Sequence, residues 1–456
     1  ASTAGTTSTL TLTLEPGTAP GSYPLSVRAE GGGLSRTASL ALTVSEPPRL
    51  DVTGKVMDLA GQGLSGVNVQ LEDAGGPHPL AVTDAAGAFS VSGVQAPYTV
   101  SAVPPPPAST SLLPMSWSGV TRSDPQLVLP SLTGSSAPVC SRADATLAGT
   151  LSPAVAAGHS ARVTFIAPGI SLAPLLSSES GTLAPGDAAY SLSVPFDEIL
   201  CETTLTGKLV YLEYDPGGAL TRSAVYDASV TTGNASARNV VAASAATSAL
   251  SGEVAFPSGV MNATVHAMLE FGGAYALLPT SAAATSAAPE YSVGVPILAG
   301  VRYRTLAVDA GPNRWAYSEL LGPGAVAELA LPNLNTPISP SGATSDATPT
   351  LRQTPVAGAT LYLSLVGDAG FGTLWLGASS TPETTLPALP PAAQLSSGPY
   401  NWYALNALKL RGAPSPDDLL DGRLVGQLYG YLHALYNPDL VAAGTINTAP
   451  MAFTLP

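Results

Sequence analysis

Positive charge is scarce in this chain. Among 456 residues only Lys55, Lys208 and Lys409 are lysines, Lys and Arg together number 17 against 31 Asp and Glu, and the net charge is −14. A nucleic-acid groove needs a basic stripe to neutralise phosphates, so nucleic acid is excluded as a partner. Charged residues make up 11% of the chain and aromatic residues 6%. The four histidines, His78, His159, His266 and His433, have no partner at metal-ligand spacing, which leaves no readable zinc motif. Phosphate loops, dinucleotide fingerprints and a Gly-x-Ser-x-Gly elbow are missing as well. No apolar run reaches the roughly eighteen residues that would span a bilayer. No basic-then-apolar leader stands at Ala1, which is expected of a mature or trimmed chain.

Cysteine occurs twice, at Cys140 and Cys201. In an oxidising compartment the pair closes a loop worth about 3 to 4 kcal/mol; two buried thiols are the other reading. The secreted character of the rest favours the disulfide. Acidic clusters are few. Asp417, Asp418 and Asp421 lack the alternating oxygen ligands and downstream Glu of a calcium loop, so they read as the capping group of a helix.

What is abundant is turn chemistry. Pro (43) and Gly (46) punctuate strand-length apolar alternations, a spacing that favours a series of β-sandwiches. The fullest pattern runs Val52-Thr53-Gly54-Lys55-Val56, Gly66-Val67-Asn68-Val69-Gln70-Leu71, then Thr83-Asp84-Ala85-Ala86-Gly87-Ala88-Phe89-Ser90-Val91. Gly87 stands where the turn tolerates positive φ, and Phe89 is expected to point inward. This segment, residues 48–131, resembles the carboxypeptidase regulatory-like module, a transthyretin-type sandwich. The resemblance implies an accessory domain of secreted and envelope proteins and no activity of its own. Pro104 to Pro107 read as a stiff segment that ends the strand.

The same outline returns loosely in residues 132–240, with Leu147-Ala148-Gly149 and Tyr190, and in residues 241–336, with Leu250-Ser251-Gly252 and Tyr291. These are expected to be divergent repeats. Residues 1–47 give alternations at Leu10, Leu12 and Leu14, at Tyr23 to Arg28 and at Thr37 to Val44. They resemble the last three strands of a bacterial immunoglobulin-like domain. A three-stranded remnant exposes an apolar face and open edges. Leu10, Leu12, Leu14, Leu40 and Leu42 are therefore expected at a contact.

Residues 337–456 resemble a fibronectin type III domain, through Thr350-Leu351-Arg352-Gln353 and Tyr400-Asn401-Trp402-Tyr403-Ala404. The family usually carries a core Trp near Gln353, so this core must close differently. An insertion beginning Ser415-Pro416-Asp417-Asp418 has the signature of a helix start, with Leu420, Leu424, Leu428 and Leu432 on one face.

The expected fold is thus all-β: tandem immunoglobulin-like, transthyretin-like and fibronectin III-like sandwiches with one short helical insertion. With no catalytic constellation, the expected role is non-catalytic: a structural or assembly protein of the bacterial surface, such as a surface-layer or envelope-complex subunit. Its expected partners are other envelope proteins or further copies of itself. No cofactor is expected; a divalent cation such as calcium is neither indicated nor excluded. One alternative is an adhesin that binds cell-surface glycan, for which Trp117 and Trp315, beside Pro-rich or polar turns, are the candidate exposed platforms. Another is the accessory region of a secreted hydrolase.

Overall fold

A computed structural model of the chain describes residues 18–31, 34–45, 49–58, 61–105, 112–129, 140–171, 178–197, 200–311, 313–368, 373–387, 395–412, 416–420 and 438–456. The fold is all-β, in tandem sandwiches.

The chain opens with a hairpin, β1 (Gly21–Gly31) and β2 (Leu34–Val44), which forms a two-stranded sheet of its own. The alternation at Leu10 to Leu14 lies outside the described residues.

The first sandwich comprises β3 (Arg49–Met57), β4 (Asn68–Asp73), β5 (Ala88–Gln95), β6 (Tyr98–Val103), β7 (Met115–Val120) and β8 (Gln126–Val128). In one sheet β3 pairs antiparallel with β5 and parallel with β8; in the other β4, β6 and β7 run antiparallel in that order.

The second sandwich repeats this plan with β9 (Ala145–Ser152), β10 (Ser160–Ile166), β11 (Ser178–Leu183), β12 (Ala189–Val194), β13 (Thr204–Tyr214), β14 (Leu220–Thr231) and β15 (Ala235–Ala237). Its first strand, β9, pairs antiparallel with β12 and parallel with β15, while β11, β10, β13 and β14 form the opposing sheet.

The third uses β16 (Thr247–Ala255), β17 (Asn262–Phe271), β18 (Ala274–Thr285), β19 (Glu290–Pro296), β20 (Arg302–Asp309), β21 (Arg314–Tyr317) and β22 (Leu329–Ala330), again with identical pairing.

The glycine-and-aromatic pattern in the sequence has one physical cause in all three. Gly54 stands opposite Phe89, Gly149 opposite Tyr190 and Gly252 opposite Tyr291. A Cβ at Gly54 would lie 2.3 Å from the Phe89 ring and 2.5 Å from the Pro125 carbonyl. At Gly149 and Gly252 it would lie 2.0 Å and 1.9 Å from the carbonyls of Arg238 and Ala327. Those two carbonyls accept the hydroxyl protons of Tyr190 (2.6 Å) and Tyr291 (2.8 Å). The missing side chain lets the ring and the parallel last strand close over the first. The turn before Phe89 is as expected. Gly87 has φ +79°, and Asp84 Oδ1 accepts the backbone N–H groups of Ala86 and Ala88 at 2.8 and 2.9 Å.

The C-terminal sandwich sets β23 (Pro337–Ser339), β24 (Thr350–Gln353) and β27 (Glu383–Thr385) against β25 (Leu361–Asp368), β26 (Thr373–Ser379), β28 (Gly398–Leu410), β29 (Val441–Ile446) and β30 (Met451–Leu455). Where a core Trp was missed at Gln353, a polar cluster closes the interior. Asn335 Nδ2 donates to Gln353 Oε1 (2.9 Å) and to the Ala404 carbonyl (2.7 Å), Gln353 Nε2 donates to Ser364 Oγ (3.3 Å), and Thr445 Oγ1 donates to Asn335 Oδ1 (2.5 Å). All four side chains are buried, so each needs the partners it has.

The helix expected from Ser415 is, in its described part, a single 3-10 turn, Pro416–Leu420. Leu419 and Leu420 are buried; Leu424, Leu428 and Leu432 lie outside the described residues. Pro104, at the start of the stiff Pro-rich segment, is buried.

Candidate interaction surfaces

The C-terminal sheet of β25, β26, β28, β29 and β30 does not end at its own edges. On one side β26 pairs parallel with β7 of the first sandwich; on the other β29 pairs antiparallel with β21 of the third. One sheet of 15 strands therefore runs through three sandwiches. The two strands that make these joints, β7 and β21, are the equivalent strand of their respective sandwiches. Both C-terminal edges are covered, which removes two rows of unpaired backbone groups.

Trp117 and Trp315 lie on those two strands. They are 1% and 2% exposed, which corrects the expectation of surface platforms: a ring this buried presents no face to a sugar. Trp117 stands opposite Ala378 and Trp315 opposite Gly444. Each contributes its bulk to a joint between sandwiches instead.

At the first joint the Trp375 indole N–H donates to Ser116 Oγ at 2.8 Å, and Ser116 in turn bonds Ser101 Oγ at 2.8 Å, all buried. Asp417, in the first turn of the 3-10 segment, also bonds the first sandwich. Its Oδ1 accepts the backbone N–H of Thr121 at 2.9 Å, its Oδ2 accepts the Thr121 hydroxyl, and Arg122 Nη1 donates to its carbonyl at 2.8 Å. The insertion thus grips the first sandwich.

At the second joint Arg304, 3% exposed, donates through Nε to the Tyr275 hydroxyl (3.0 Å) and through Nη1 to the Ser318 carbonyl (2.7 Å), and pairs with Asp439. Tyr275 donates to the same carboxylate at 2.7 Å. Arg411 Nη2 donates to the carbonyls of Tyr317 (3.0 Å) and Ser318 (2.7 Å). Burial, with the nearby Arg304 charge, pushes the Arg411 pKa down to about 10, so it stays protonated at neutral pH.

Among the described residues the second sandwich shares no sheet with its neighbours. It packs Ile166, Val210 and Leu212 into the core of the third, and Lys208 lies 5.1 Å from the Phe271 ring centroid while bonding Asp227 at 2.6 Å. Cys140 and Cys201 are joined, with their Cα atoms 5.7 Å apart.

The hairpin carries an exposed apolar face. Tyr23, Leu25 and Val27 stand opposite Leu42, Leu40 and Ala38 and share one face, whereas Ser26, Arg28 and Glu30 with Ser35, Thr37 and Ser39 share the other. Leu34 is 69% exposed, Leu40 50%, Val27 38% and Tyr23 37%, and Leu42 is half-buried. Alternation (period two) gives the ribbon one apolar face and one polar face among the described residues. Two clefts lie between sandwiches: one of about 470 Å³ beside Tyr317, Leu331, Lys409 and Arg411, and one of about 590 Å³ beside Tyr214, Leu220 and Pro279.

Among the described residues no group of three His, Cys, Asp or Glu is placed to hold a metal ion. His78 bonds Asp73 at 2.8 Å and His159 bonds Glu213 at 2.9 Å, while His266 is half-buried with its pKa lowered by desolvation. No helix among the described residues is long and apolar enough to cross a membrane.

No family model matches the chain, and neither does any curated protein. Solved structures similar to it include the Bacillus anthracis TIE protein (10% identity, 70% of this chain and 61% of that one, TM-score 0.17). BcpA, the major pilin subunit of Bacillus cereus, aligns at 8% identity over 62% of this chain and 99% of its own, TM-score 0.14. The major pilin SpaD of Corynebacterium diphtheriae aligns at 9% over 62% and 97%, TM-score 0.15. The chain thus spans 61% of the length of the TIE protein. Superpositions at these scores carry no functional argument.

Proposed function

We propose that this chain is a non-catalytic structural or assembly subunit of the bacterial cell surface, of the surface-layer or envelope-complex kind. The observation that carries this reading is the hairpin: a one-sided apolar β-ribbon, too small to be stable alone in water, on a chain whose first, third and C-terminal sandwiches share one sheet. The shared sheet fixes those three sandwiches to one another, and an exposed apolar face supplies a contact. The glycan-binding alternative loses both of its proposed side chains, since Trp117 and Trp315 are interior.

The test is a pair of variants on the apolar face, Val27→Glu and Leu40→Glu. Both are expected to keep the melting temperature of residues 49–456 and to lose the chains that co-purify with the native protein from gently extracted envelope. Retention of every co-purifying chain in both variants contradicts the hairpin as the contact.

A further inference from the structure

The hydrogen bond between Trp375 and Ser116 joins residues 259 apart in sequence, and the bonds between Thr121 and Asp417 join residues 296 apart. Contacts of this kind tie the chain into a loop. The whole of the second and third sandwiches, β9 to β22, lies inside it. Tension applied between the start of β3 and the end of β30 therefore passes through the first sandwich, across the β7/β26 joint, and out through the C-terminal sandwich. The looped part carries none of it while the joint holds.

We propose that the β7/β26 joint is a mechanical latch that keeps the second and third sandwiches out of the load path until it opens. The surface role proposed above supplies the tension; the latch follows from the connectivity, and its test does not depend on assembly.

The strength of the joint fits a latch. Three residue pairs carry its strand register, Leu376 with Met115, Gly377 with Ser116 and Ala378 with Trp117. By contrast β10 and β13 inside the loop are paired over seven residues, and β13 and β14 over eleven. Around those three pairs Met115, Trp117, Leu376 and Ala378 share one buried core with Leu419 and Leu420, and Asp417 fastens its rim. Forced opening is governed by the barrier to breaking the loaded contacts, and these are few and local. Once open, the stretch between the tied positions, 259 apart in sequence, offers roughly 900 Å of extended chain. Part of that reserve stays locked, because Cys140–Cys201 spans 61 residues.

The test is single-molecule force spectroscopy on the full chain with handles fused to its two ends. Reducing the disulfide lengthens the unfolding step of the second sandwich by roughly 210 Å, which marks that step in every trace. The marked step is expected to follow an earlier opening event in all traces. In the Ser116→Ala, Asp417→Ala variant the force of that earlier event is expected to drop, with the force of the marked step unchanged. A marked step that comes first, or variant traces identical to those of the parent, overturns the latch. Should the variant fail to fold, hydrogen exchange on the parent decides: amides 115–117 and 376–378 are expected to open together and before those of β10 and β13, and simultaneous opening of all four segments overturns the proposal.

Discussion

Trp315 occupies the space that any side chain at Gly444 would need. The two residues are paired across the joint between β21 and β29, and a Cβ at 444 would lie 2.5 Å from Trp315 Cζ2 and 2.7 Å from Leu408 Cδ2. Gly444→Ala is therefore expected to overpack the joint at a cost of about 1 to 3 kcal/mol, read as a lower denaturation midpoint. Trp315→Phe in the same background should recover part of the loss by making room. A Gly444→Ala chain as stable as its parent contradicts the tight joint.

Ser116 is a second joint residue whose removal has a definite consequence. Its hydroxyl is the acceptor for the buried Trp375 indole N–H at 2.8 Å. Ser116→Ala leaves that donor unpaired, at a cost of about 1 to 3 kcal/mol. Indole hydrogen exchange at Trp375 should accelerate in the variant. Unchanged exchange and stability would mean that the bond contributes nothing.

Acid should weaken the second sandwich through Glu213. The side chain is fully buried and accepts from Tyr211 Oη (2.7 Å), the Ala156 N–H (3.1 Å), His159 and Arg222. Burial acts to raise its pKa; the Tyr211, Ala156, Arg222 and His159 contributions together outweigh that, and the carboxyl titrates below its ordinary 4.5. A depressed folded-state pKa gives a stabilisation that is complete above the unfolded value and lost as pH falls through the folded one. The melting temperature is thus expected to decline below about pH 4.5. Glu213→Gln should be less stable at pH 7 and show a shallower decline across the acid window. Equal slopes in the two proteins would remove Glu213 from the account.

The disulfide should matter most to the same sandwich. Closing 61 residues with Cys140–Cys201 is worth about 4 kcal/mol in the loop-entropy picture. Reduction, or Cys140→Ser with Cys201→Ser, is expected to lower the stability of residues 140–241 by up to that amount while leaving the 15-stranded sheet intact. Calorimetry that resolves the two transitions checks both halves.

Local signals in the sequence reached as far as individual strands. Gly54 with Phe89, Gly149 with Tyr190 and Gly252 with Tyr291 were legible because a glycine and an aromatic at strand spacing mark a local packing solution. Gln353 signalled a polar patch in the last core, which Asn335, Ser364 and Thr445 complete, while Trp375 and Trp402 pack beside Leu351 in its apolar part. What was not legible was how the sandwiches meet. Ser116 and Trp375, or Arg304 and Asp439, are separated by 259 and 135 residues, and nothing near any of them announces its partner. That is also why Trp117 and Trp315 read as surface residues: the turns beside them are polar, and the strand that buries each comes from another sandwich. Asp417 read only as part of a helix start for the same reason, since its partner, Thr121, is 296 residues away in sequence.

The measurement that tests the proposed role most directly is the mass of the native assembly by light scattering, with identification of co-purifying chains, compared with a chain lacking residues 1–46. A defined complex larger than one chain, lost on that deletion while residues 49–456 stay folded, is the predicted result. A monomer in both preparations would contradict it.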